Sequence, residues 1–156
     1  MIEPEVAAQL ESPCSLLVGS VAADRTPDAT RAWGVEVLGP DRVRILLAAN
    51  AEQTLTNVAD RGRIALTTTN FVTLVSWQLK GRATAVEDTT PADRIRFDAF
   101  CAGCVDILSA IERTPEEVIW RIVPSGIVAC EMAVEQIFDQ TPGPHAGVCV
   151  APVAGR

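Results

Sequence analysis

The chain has 156 residues and is 48% hydrophobic, enough for one domain with a core of its own. Its net charge of -7 argues against a nucleic-acid role, which needs a basic face to displace counterions. Five cysteines, an odd count, argue against a disulfide framework. No stretch is long and apolar enough to span a membrane. The acidic start Met1-Ile2-Glu3-Pro4-Glu5 lacks the features of a signal peptide, so a cytoplasmic location is expected. Among the basic residues only Lys80 is a lysine and the rest are arginines, which hold phosphate and carboxylate bidentately. A genomic bias toward arginine codons explains the same skew.

Residues 4–10 read as a short helix with Pro4 in its first turn and Val6, Ala7 and Leu10 on one side. Residues 15–22 form an apolar strand that ends at the turn Asp24-Arg25-Thr26-Pro27-Asp28. A second strand over 29–38 completes a hairpin, and Gly39-Pro40-Asp41 makes the next turn. Residues 42–49 alternate, with Val43, Ile45 and Leu47 on one face and Arg42 and Arg44 on the other. Asn50 and Gln53 have capping-box spacing for a helix over 51–61, which Gly62 ends. On it Thr54, Asn57 and Arg61 share a face. Strands follow over 63–69 and 72–86, with Gly81 a bend or bulge in the second.

Thr90-Pro91 starts the longest helix, which runs to about residue 112. Phe97, Phe100, Cys101, Cys104, Leu108 and Ile111 fall on its apolar stripe. Thr114-Pro115-Glu116-Glu117 is a second helix-start pattern, on a very short helix. The last strands are read over 118–123 and 127–134. Residues 1–139 make one domain, and the tail over 140–156 is extended, as a strap, or disordered. Hairpin-linked strands, one short helix within them and one long helix after them predict a mainly β fold, a Greek-key barrel with helical cover.

The segment over roughly residues 10–87 resembles the FMN-binding split β-barrel family, the pyridoxamine 5'-phosphate oxidase-like proteins. The likeness rests on Pro27 four residues before Arg31, the strand Arg44-Ile45-Leu46-Leu47-Ala48, a helix with Thr54 and Asn57, the strand Arg63-Ile64-Ala65-Leu66, and Gln78-Leu79-Lys80-Gly81-Arg82-Ala83. It implies a split barrel, a homodimer with FMN in the cleft between two copies, and a flavin-dependent oxidoreductase acting on a small molecule. It also implies Arg31 as the phosphate-binding arginine. Thr54 falls where pyridoxamine phosphate oxidases carry a phosphate-binding lysine; a hydroxyl brings no charge, so Arg31 must neutralise more of the anion. The N-terminus of the 51–61 helix would help, and Asn57 lies one turn on.

Gln78 and Lys80 share one face of their strand, and Trp77 and Leu79 share the other. With Trp77 and Leu79 in the core, Gln78 and Lys80 face the cleft, where a cation would stabilise a reduced, anionic flavin. Trp33 is a candidate for stacking on the ring. The expected cofactor site is therefore Arg31, Trp33, Thr54, Asn57, Gln78 and Lys80. Arg31 shares strand parity with Trp33 and Val35, which demands a bulge or a mixed face.

The C-terminal Arg and His pair that holds substrate phosphate in true pyridoxamine phosphate oxidases has no counterpart: His145 is the sole histidine. Vitamin B6 oxidation is therefore not the expected activity. Cys101 and Cys104 have dithiol spacing but lie on the helix's apolar stripe, so buried packing is the better reading. A metal site is not expected, because the other cysteines and His145 are scattered. The alternatives are a flavin carrier or sensor without turnover, and the same barrel binding a deazaflavin or haem.

Overall fold

The computed structural model describes residues 1–84 and 86–152. Its elements are α1 (Pro4–Glu11), β1 (Ser15–Val21), β2 (Pro27–Gly39), β3 (Arg42–Ala48), α2 (Glu52–Arg61), β4 (Arg63–Thr69), β5 (Ser76–Ala83), α3 (Pro91–Glu112), α4 (Glu116–Trp120), β6 (Ile127–Asp139) and β7 (Cys149–Pro152). The strands run in the order β3-β2-β1-β4-β5-β6, and a β3–β6 pairing closes them into a six-stranded antiparallel barrel. β7 is added outside the closed ring, on β6. The mainly β, split-barrel expectation holds.

Alternation builds the core. Leu16 and Val18 of β1, Ile64 and Leu66 of β4 and Leu79 of β5 point inward with Ile45 and Leu47 of β3. β3 is buried on both faces from Val43 onward, and on its outer side Arg44 is held by Asp93 of α3. β6 is long enough to serve both neighbours: its first half pairs with β3 and its second half with β5 and β7. α1 packs Val6 and Leu10 over one barrel end, where Gln9 Nε2 donates to Thr68 Oγ1 and to the Val75 carbonyl. α2 sits at the opposite end, near Ser20 and Ile64.

α3 is anchored by its first turn. Thr90 and Asp93 form a reciprocal capping box. Asp93 also takes both arms of Arg44 on β3, at 2.9 Å each. Burial alone would raise the Asp93 pKa. Hydrogen bonds from Arg44 and Thr90 and the charge of Arg44 outweigh that and hold it at about 2. Further along, α3 crosses the Pro13 segment at Gly103, where a Cβ would meet Pro13 Cγ at 2.3 Å. The Cys-Ala-Gly-Cys run is thus shaped by close helix packing.

Several local expectations are corrected. Residues 118–123 are not a strand: α4 takes Val118 to Trp120, and a turn follows. Pro115 and the acidic pair Glu116 and Glu117 favour a helix start, while the β-branched run that suggested a strand buries only Ile119. The strand read over 72–86 begins only at Ser76. Before it, the Asn70 side chain accepts from the amides of Val72 and Thr73 and bends the chain. α2 starts at Glu52 without the Asn50 cap; Gln53 instead donates to Asn57 Oδ1 at 2.9 Å. The strand read over 127–134 continues to Asp139. In the tail, residues 140–148 turn back, with Gly147 donating to the Asp139 carbonyl, and β7 then pairs with β6. Residues 153–156 lie outside the described part.

Candidate functional site

The outer surface of the barrel carries a row of registered neighbours. Arg31 on β2 pairs with Leu17 on β1, Leu17 with Thr67 on β4, Thr67 with Gln78 on β5, and Gln78 with Phe138 on β6. Three inter-strand steps separate Arg31 from Gln78, roughly 14 Å at the usual strand spacing. One row on lie Gly19, Ala65 and Lys80. Gly19, Ala65 and Lys80 line an open groove of about 440 Å³ together with Arg63 and Gln136 and with the carboxylates Asp28 and Glu135. Arg31, Gln78 and Lys80 therefore stand on one face.

The groups on this face differ in how they are engaged. Gln78 Nε2 donates to Thr67 Oγ1 at 3.0 Å. Arg31 is exposed, and it has no ion-pair partner among the described residues. Lys80 likewise has no carboxylate partner there, and its ammonium lies 4.3 Å from the centroid of the Phe138 ring. The bulge at Gly81 is what seats Lys80: the β5–β6 register shifts between the two residues, and a Cβ on Gly81 would lie 2.0 Å from the Ala133 carbonyl oxygen.

The parity conflict on β2 is resolved by a bulge between Ala32 and Val35. Gly34 sits in it with φ +139°, and both Ala32 and Val35 point inward. Trp33 is half-buried and leans on Phe97 of α3, centroids 6.5 Å apart, so its ring serves the barrel–helix seam. Arg31 and Trp33 border a partly open apolar cavity of about 40 Å³ that is also lined by Cys14, Cys101, Cys104, Phe100, Ile119 and Ile122. Burial pushes the Cys14 and Cys101 thiols up to about 11 and Cys104 to about 12, so all three are protonated at neutral pH. That matches a packing role rather than a reactive dithiol.

Thr54 and Asn57 are not on the open face. Both are buried, and their polar atoms are engaged within the chain. Thr54 donates to Asp28 Oδ2 at 2.5 Å, and Asn57 Nδ2 donates to Ser20 Oγ at 2.9 Å. These bonds pin α2 to β1 and β2. The concavity beside Thr54 is lined by Asp28 and Glu52 and by no cation. Trp77 and Leu79 face inward as expected: Leu79 is fully buried, and Trp77 packs half-buried against the core.

Phe138 is the residue that sequence reasoning missed. Nothing near it in the chain marks it; only the β5–β6 register places it beside Gln78 and Lys80. Among the described residues, no group of three or more His, Cys, Asp and Glu side chains is placed to hold a metal ion. No described helix is long and apolar enough to cross a membrane.

A closed antiparallel barrel with a long covering helix and a cation-bearing outer face defines a split-barrel protein. The family profile described as pyridoxamine 5'-phosphate oxidase matches residues 2–129, and the chain belongs to that family. Solved structures agree on the fold. HupZ of Group A Streptococcus is 18% identical, with a TM-score of 0.59, and the match covers 94% of this chain and 100% of that one. A structure named F420 Reductase is 12% identical at a TM-score of 0.56, covering 83% and 93%. HutZ from Vibrio cholerae, named as a haem storage protein, is 14% identical at 0.52, covering 88% and 94%. No curated protein matches the chain.

Proposed function

We propose that the protein binds FMN on the outer barrel face and works as a flavin-dependent oxidoreductase on a small molecule, as a homodimer. The observation that carries the reading is the pair of unneutralised cations, Arg31 and Lys80, at opposite ends of one open sheet face. In a protein of net charge -7, two such groups without carboxylate partners suit an anionic ligand. The span between them suits an elongated one, with a phosphate at Arg31 and a ring edge at Gln78 and Lys80. Leu17 and Thr67 lie in the row between Arg31 and Gln78, and the small side chains of Gly19 and Ala65 leave the floor beside that row low. Bound FMN would supply hydride or electron transfer.

The chain's own part is to bind and to tune. Arg31 offers a bidentate fork to a phosphate. Gln78 can turn its amide from Thr67 to the ring edge. Lys80 offers a positive charge where a reduced ring carries a negative one. Thr54 and Asn57 support the site indirectly, by holding α2 against the start of β2. Leu17 and Val21 are exposed on the same outer surface, and a second copy over this face would bury them and close the cleft.

The test is a visible spectrum and an FMN titration of the purified protein. Quenching of FMN fluorescence with saturation is expected. Arg31→Ala is expected to lose at least tenfold in FMN affinity while eluting at the same size, since it is exposed and removes about 1.5–3 kcal/mol of charged hydrogen bonding. A protein that leaves FMN fluorescence unchanged and instead takes up a deazaflavin or haem would overturn the cofactor assignment. An FMN-loaded protein that no nicotinamide reduces would be a carrier or sensor.

A further inference from the structure

Phe138 is a half-buried aromatic on the open face, and only the β5–β6 pairing brings it there. It is the registered neighbour of Gln78, and its ring lies under the Lys80 ammonium. We propose that Phe138 is a positioning residue that holds Lys80 ready for the anionic edge of the bound ring, a role that rests on the flavin reading above.

The argument is one of charge. An exposed lysine is a flexible point charge with much rotamer freedom to lose when it grips a ligand. A carboxylate partner would order such a group but would also neutralise it. The acid nearest in register is Glu135, and it is engaged by Arg82 at 3.2 Å. Lys80 rests on an aromatic face instead. The ring quadrupole attracts the cation and narrows its orientations but carries no net charge. The ammonium is thus ordered in advance while its full positive charge stays available to an anion. Preordering of this kind raises affinity by lowering the entropy lost on binding. The bulge at Gly81 completes the arrangement, because it shifts β6 so that Phe138, opposite Gln78, reaches diagonally to Lys80.

A double-mutant cycle tests the role, read as FMN affinity and as the reduction potential of the bound flavin. Phe138→Leu is expected to weaken FMN about two- to fivefold, the range for an exposed cation–ring contact. The same change in a Lys80→Gln background is expected to cost nothing further. Phe138→Tyr keeps a ring face and is expected to retain affinity and potential, which also guards against a variant that merely folds poorly. Lys80→Gln is expected to lower the potential, and Phe138→Leu to lower it by part of that amount. Equal losses from Phe138→Leu in both backgrounds would overturn the positioning role and leave the flavin reading standing. A wild-type protein that binds no FMN would overturn both.

Discussion

Asp93→Ala is expected to be among the most costly single substitutions in this fold. Asp93 is 1% exposed and accepts from Arg44 Nε and Nη2 and from the Thr90 backbone and hydroxyl. Its removal leaves the buried Arg44 guanidinium with Glu87 alone, at 3.1 Å through Nη1. Breaking a buried pair on one side costs about 3–5 kcal/mol, and losing a cap about 1 kcal/mol more. Single domains hold about 5–15 kcal/mol in all, so the variant sits near the edge of folding. In a chain of this size the melting temperature should fall by roughly 10 °C or more. Urea unfolding followed by circular dichroism measures the loss directly. Replacing both partners, Asp93→Ala with Arg44→Met, should recover part of it, because no buried charge is then left unpaired. The pH dependence gives an independent reading. A carboxyl whose folded pKa is held at about 2 contributes stability that is complete above its ordinary value near 4 and is lost as pH falls toward 2. About 2 kcal/mol should disappear over that window in the wild type and not in Asp93→Ala. A loss under 1 kcal/mol at neutral pH, with the same acid profile in both proteins, would refute the anchoring role.

Other outcomes follow from the same geometry. Gly81→Ala drives a Cβ into the Ala133 carbonyl and should cost about 3 kcal/mol or more, read by denaturant unfolding, with weakened FMN binding because Lys80 is displaced. Asn57→Ala strips Ser20 of its donor inside the barrel and should cost about 2–3 kcal/mol while leaving FMN affinity within twofold, whereas a residue on the phosphate would show the reverse. Under native conditions a thiol reagent should label exposed Cys149 quickly and buried Cys14, Cys101 and Cys130 only on unfolding. Rapid labelling of Cys101 and Cys104 together would overturn the packing role assigned to them.

The barrel was legible because its signals are local. Alternation in β1, β3 and β4 marks inner and outer faces without reference to any other segment, and the Thr90-Pro91 start with the apolar stripe from Phe97 onward specifies α3. The Val118 to Val123 run misled because β-branched residues favour strands only when a neighbouring strand and a buried face exist for them. Here Val118, Trp120 and Ile122 are exposed and only Ile119 is buried, although Ile122 and Val123 also border the cavity.

The candidate site was legible in part, and the boundary is physical. That Gln78 and Lys80 share a face opposite Leu79 is a matter of strand period alone, and so belongs to the sequence. That Arg31 joins them depends on three pairings, β2 with β1, β1 with β4 and β4 with β5, and the bulge after it at Gly34 lets Ala32 and Val35 both face the core. Thr54 and Asn57 have the spacing of a binding face, yet tertiary packing turns them toward Asp28 and Ser20, because the barrel end needs polar partners there. Phe138 meets Lys80 only because a long sixth strand runs back along β5. Sequence by itself determined the first four barrel strands, the existence but not the bounds of β5 and β6, the covering helix, and which side chains of those strands could reach outward. Which of those outward groups meet was decided by register, and register comes from contacts between segments far apart in the chain.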